Sequence, residues 1–105
     1  MTTNHTAEDQ FKGAFAEDYA FLQLICPAVT DCARISAQAL AKIPSKTDGM
    51  DLLGLEIGCG SGLSTRAFLD ARSDIRLEGI DLAPAMLEQA RINLAGDVQD
   101  GRLSL

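Results

Sequence analysis

Glu56-Ile57-Gly58-Cys59-Gly60-Ser61-Gly62 sets a carboxylate two residues ahead of three glycines at alternate positions, and Asp81 follows Gly62 by 19 positions (81 − 62). Glycine tolerates positive φ and carries no side chain to hold a ligand away from the backbone. A helix that starts in such a loop offers unpaired N–H groups and the positive end of its dipole to a carboxylate or phosphate. An acid roughly 20 positions further on has the spacing of a carboxylate that accepts hydrogen bonds from a ribose. Together these residues read as a nucleotide-cofactor loop. The plain alternative is a glycine-rich turn with no ligand, but three of the chain's nine glycines fall within these five residues. Glu56 ends an otherwise apolar run, where an unpaired acid is costly to bury, so a polar or cationic partner is expected for it.

The elements that must position these residues follow from the pattern around them. Apolar runs predict strands at about 51–57 and 75–80, with helices at about 62–72 and 84–95; Pro84 opens the second helix and Gly96 turns the chain after it. A third strand starts near Arg102-Leu103-Ser104-Leu105. Strands alternating with helices of this length imply right-handed crossovers and a parallel sheet with helices packed on its faces. Before this unit, residues 1–9 form a tail and 10–49 a helical cap, leaving 50–105 as the cofactor unit. Phe11, Phe15, Tyr19, Leu22 and Cys26 recur at helical intervals. Pro27 suits the first turn of a further helix that buries Val29, Cys32, Ala33, Ile35, Ala39, Leu40 and Ile43, and Pro44 stops it.

At 105 residues the chain is at most one domain, 47% apolar with a formal charge of −6. That balance excludes general disorder and argues against a nucleic-acid surface, so a small-molecule partner is expected. The start lacks a signal-peptide pattern, and the apolar stretch 19–29, broken by Gln23 and Pro27, is too short to span a bilayer; a cytoplasmic protein is expected. Cys26, Cys32 and Cys59 have no CxxC spacing and His5 is the single histidine, so neither a disulfide framework nor a metal site is expected. Cys59 sits in the glycine loop without a histidine to activate it.

The glycine frame separates two ligand classes. A dinucleotide site needs G-x-G-x-x-G, and here the frame is G-x-G-x-G followed by Leu63, which weakens an NAD reading. The acid-x-Gly-x-Gly-x-Gly run resembles the first motif of the class I S-adenosylmethionine-dependent methyltransferases. Gly79-Ile80-Asp81-Leu82-Ala83-Pro84-Ala85-Met86-Leu87 resembles their second, and the likeness covers about residues 50–95. The resemblance implies an α/β, Rossmann-like, doubly wound parallel sheet, here partial with about three strands, and an N-terminal helical cap. It implies S-adenosylmethionine as cofactor, S-adenosylhomocysteine as product, and in-line methyl transfer to a small-molecule acceptor. Gly58, Gly60 and Gly62, with Cys59 among them, would let the methionine part approach the backbone, Glu56 would anchor that part, and Asp81 would accept from both ribose hydroxyls. Leu82 and Met86 would lie against the adenine, ordinary packing being their alternative. Tyr19 matches loosely a tyrosine that folds over the cofactor, and a buried aromatic is its alternative. Family members continue beyond the third strand, so the resemblance implies a cofactor-binding half that does not turn over substrate alone and whose first strand has a free edge. Self-association or domain exchange through that edge is the competing expectation, and non-methylating use of a modified cofactor is another.

Overall fold

The computed structural model describes Thr6, Asp18 and residues 21–105. In chain order these form α1 (Leu22–Ile25), α2 (Pro27–Ala41), β1 (Leu52–Ile57), α3 (Leu63–Ala71), β2 (Ile75–Ile80), α4 (Pro84–Asn93), α5 (Ala95–Gln99) and β3 (Leu103–Ser104). The strands make a parallel sheet of order β1-β2-β3, with β1 paired to β2 from Leu52↔Ile75 through Ile57↔Ile80 and β2 to β3 at Leu77↔Leu103 and Glu78↔Ser104. This is a partial Rossmann-like α/β fold.

The sheet is packed on one face. Ile75, Leu77 and Leu103 are buried together with Leu69 of α3 and Leu94, and Leu40, Leu52, Phe68 and Leu105 close the cluster. Their alternate neighbours Leu53, Leu55, Ile57 and Ile80 are exposed. The one-sided packing follows from the direction of winding. Two crossovers that step the same way along a sheet, with the same hand, set both helices on the same side.

α2 starts at Pro27 as its sequence predicts, but it packs on α3 rather than on the sheet, and its contact side is narrow. Ala33 and Ala37, one turn apart, are its buried residues, whereas Cys32, Ile35, Ala39 and Ile43 are exposed and Val29 and Leu40 half-buried. The apolar period marked a helix correctly and overstated how much of it is covered. The turn after α4 also moves. Gly96 lies inside α5, and the chain turns at Gly101, whose φ of +76° fits a left-handed C-terminal cap. Gly101 N–H bonds to Val98 O at 3.2 Å and Arg102 N–H to Asp97 O at 2.9 Å, the paired bonds of a Schellman motif.

Arginines tie the helix ends to the sheet. Arg72, buried, donates to both carboxylate oxygens of Asp74 (2.8 and 2.7 Å), to Ser45 Oγ at 3.0 Å, and to the carbonyls of Leu40, in the last turn of α2, and Ile43, just past its end. Leu40 O also accepts Ile43 N–H at 3.1 Å, so the guanidinium adds a second donor there at the helix end. The Arg72 guanidinium, with Ser45 after it, holds the Asp74 carboxyl far below the usual carboxylate range. Arg102 does the same for α3, donating to Leu69 O at 2.9 Å and Arg72 O at 2.6 Å.

Candidate cofactor site

The glycine loop is fastened to the end of β2 before it meets any ligand. Gly58 and Cys59 donate to Ile80 O at 2.7 and 3.0 Å, and Gly60 N–H donates to Asp81 Oδ2 at 2.9 Å. The other Asp81 oxygen accepts from Ala83 N–H at 2.9 Å, which turns the chain into α4. The amides of Gly58–Gly60 are therefore committed to the fold. Those of Leu63 and Ser64, in the first turn of α3, have no intrahelical acceptor and are the donors left for an anionic group.

Gly62 caps α3 with φ +95°, and a Cβ on it would come within 2.6 Å of Leu94 Cδ1. Gly58 differs. Its φ is +75°, and a Cβ there would meet nothing within 4 Å, so this side of the loop is open.

Glu56 projects from the packed face of β1 toward α3. Thr65, which is fully buried, donates its hydroxyl to Glu56 Oε1, while Glu56 Oε2 is buried with no protein partner. Burial raises the Glu56 pKa above the ordinary glutamate value, and the hydroxyls of Thr65 and Ser64 oppose that rise. A cleft of about 510 Å³ lies at this carboxylate, walled by Val29, Cys32, Ala33 and Ser36 of α2 and by residues 56–61, Leu63 and Ser64. Through α2 the N-terminal segment therefore forms part of the site wall, which spacing along the chain did not reveal. Thr65 was also missed. The signal available was a Ser-Thr pair in the first turn of the helix that follows the acid.

Among the other expected site residues, Cys59 is buried with its thiol turned against Gly79, where a Cβ would sit 3.0 Å from the sulfur. Burial, with the charges of Glu56 and Asp81, pushes its pKa up to about 11, so the thiol is not a nucleophile at neutral pH. Met86 is buried beneath the loop with its Cε 3.3 Å from the Cβ position of Gly60. Leu82, next to Asp81, is 82% exposed and free to meet a ligand. Tyr19 lies outside the described residues. The structure thus sets Glu56 and Asp81 on opposite sides of one glycine loop, with Leu82 beside Asp81 and Met86 supporting the loop from below. No His, Cys, Asp or Glu group that could hold a metal occurs among the described residues, and none of their helices is long and apolar enough to cross a membrane.

The Glu56 geometry carries a pH dependence. A carboxyl whose folded pKa is raised contributes stability that is present below its unfolded pKa and is lost as pH rises through the folded value. A cationic ligand beside Oε2 reverses that loss by favouring the charged form. Affinity for such a ligand should therefore increase as pH rises from the ordinary glutamate value through the raised one, with a proton released on binding. Calorimetry in buffers of different ionisation enthalpy reads that proton. Its absence, or its persistence in Glu56→Gln, would contradict this role for Glu56.

Residues 55–103 match the methyltransferase domain family. The chain is 46% identical over 59 residues to a trans-aconitate 2-methyltransferase of Enterobacter sp. (strain 638), covering 56% of this chain and 22% of that protein. It is 49% identical over 37 residues to a malonyl-[acyl-carrier protein] O-methyltransferase of Acetivibrio thermocellus, covering 35% of this chain and 13% of that protein. To a trans-aconitate 2-methyltransferase of Methylobacterium radiotolerans it is 38% identical over 61 residues, 58% of this chain and 22% of that protein. The aligned part thus spans about a fifth or less of these relatives' own length. Glycine loop, paired acids and relatives agree, and the similarity of residues 55–103 to the methyltransferase domain family supports a class I S-adenosylmethionine-dependent methyltransferase.

Proposed function

We propose that residues 50–105 are the S-adenosylmethionine-binding portion of a methyltransferase acting on a small-molecule acceptor, with α2 as a helical cap over the cofactor. The observation that carries this reading is the buried, unpartnered Oε2 of Glu56 at the edge of an open cleft. Leaving that atom unpaired costs free energy, and an ammonium group is the partner that would recover it. Glu56 would hold the amino group of the methionine part, the first-turn amides of α3 its carboxylate, and Asp81 the ribose hydroxyls through the acceptor capacity left beside its two amide bonds. Leu82 would cover one side of the adenine, while Met86 keeps Gly60 in place. When bound, the cofactor supplies a methyl group made electrophilic by its sulfonium. The contribution of this chain is to bind and orient, with α2 keeping water from the methionine end. Three cysteines and an acidic surface suit a reducing, cytoplasmic setting.

Isothermal titration of the chain with S-adenosylmethionine and separately with NAD tests the reading. Saturable binding of the first alone is expected. A folded sample that binds NAD, or that binds neither, overturns it.

A further inference from the structure

Thr65 aims its hydroxyl at a residue nine positions back rather than at its own helix. It stands in the first turn of α3, is fully buried, and donates to Glu56 Oε1. A helical threonine can instead return its hydroxyl to the carbonyl three or four residues before it. Here both of those carbonyls have other donors. Gly62 O accepts Arg66 N–H at 2.9 Å, and Ser61 O accepts from Asn93 Nδ2 of α4 at 3.0 Å. A hydroxyl has one proton to give, so a single carboxylate oxygen is held, and Oε2, buried without a protein partner, is the one left to meet a ligand. Around Glu56 the titratable groups among the described residues are Cys32 of α2, Cys59 of the loop and Asp81 at the end of β2, and none of them is a cation. α2 pairs Arg34 with Asp31, α3 turns Arg66 to Asp70 and Asp97, and β2 sets Gly79 in register with Glu56. Two hydroxyls therefore support the carboxylate charge, that of Thr65 first and that of half-buried Ser64 second. Water in the cleft can stand in for Ser64, which lines it, and not for Thr65, which has no exposed surface (0%).

We propose that Thr65 is a positioning residue for the cofactor: its buried hydroxyl holds one oxygen of Glu56 so that the other faces the ammonium group of the methionine part. The proposal rests on the reading of Glu56 given above. A hydrogen bond to the charged form of an acid favours that form, and a side chain ordered before binding loses less freedom when the ligand arrives. Both effects act through Glu56, and Thr65 itself is not among the residues that wall the cleft.

Two variants of the whole chain separate this role from packing. Thr65→Val keeps the shape of the side chain and removes the hydroxyl, whereas Thr65→Ser keeps the hydroxyl and removes a buried methyl group. The Glu56 carboxyl is followed in ligand-free protein by carbon-13 NMR, its signal assigned through Glu56→Gln. It should titrate at higher pH in Thr65→Val than in the parent, and close to the parent in Thr65→Ser. Thr65→Ser still loses stability through the missing methyl, so a purely structural role would move both variants alike. S-adenosylmethionine binding to Thr65→Val at neutral pH should weaken roughly tenfold and recover as pH is raised, while Thr65→Ser binds as the parent does. A valine variant whose Glu56 titrates with the parent, or a serine variant whose Glu56 titrates with the valine variant, overturns the proposal. Should Thr65→Val fail to fold, the parent decides, because the shielded Thr65 hydroxyl proton must give a signal that shifts as Glu56 titrates. A signal indifferent to that titration, or none, overturns it equally. A parent that binds no S-adenosylmethionine defeats the reading of Glu56, a failure that the ligand-free titration distinguishes from one of Thr65.

Discussion

Replacing Gly62 by alanine should lower the free energy of unfolding by about 2–4 kcal/mol, the sum of a strained left-handed residue and an overpacked core. Both terms are visible at this position. The backbone has φ +95°, and the added carbon would stand 2.6 Å from Leu94 Cδ1 and 3.7 Å from Ala90 Cβ. Leu94 is 2% exposed and has little space to withdraw into. Gly58→Ala is the informative comparison, because its φ of +75° carries similar backbone strain with nothing within 4 Å of the new carbon. It should lose only about 1–2 kcal/mol of stability, while its methyl group occupies the open side of the loop and weakens the cofactor. Urea melts and cofactor titrations of the two variants separate these effects. Equal stability losses would mean that packing against Leu94 contributes nothing.

Asp81→Ala should weaken S-adenosylmethionine binding by about 1.5–3 kcal/mol, the scale of hydrogen bonds to a charged acceptor, or roughly tenfold to more than a hundredfold in affinity. The structure adds a second consequence. Asp81 also holds the amides of Gly60 and Ala83, at 2.9 Å each, so its loss frees the loop and the start of α4 together. A fall in stability of about 1–3 kcal/mol should accompany the lost affinity. Asp81→Asn can accept one of those amides through its single carbonyl oxygen and should fall between the parent and the alanine variant on both measures. A folded Asp81→Ala chain with unchanged affinity would remove the residue from the site.

Most of the strand and helix order was legible because these segments carry their own periodicity. β2 appears at the expected 75–80, and β1 and α3 differ by a residue at each boundary that moved. The loop was legible for a related reason, since closely spaced glycines with an acid on either side have few uses. Thr65 and Arg72 were not legible. Their partners, Glu56 nine positions away and Leu40, Ile43 and Ser45 between 27 and 32 away, meet them only after the chain has folded back on itself. The cover on α2 was overestimated because an apolar period states which side of a helix prefers burial and says nothing of how wide its neighbour is.

By itself the sequence determined the βα unit, its parallel sheet and the cofactor loop, since all three follow from local patterns of backbone freedom and hydrophobic spacing. Tertiary structure alone decided that Glu56 keeps one oxygen buried and unpartnered and that Asp81 fastens the loop as well as facing the site. It also decided that the helices of the described residues pack on one face of the sheet. These depend on the distances and directions between elements, which are set by the hand of the crossovers and by packing against α3 and α4, and no residue pattern along the chain contains them.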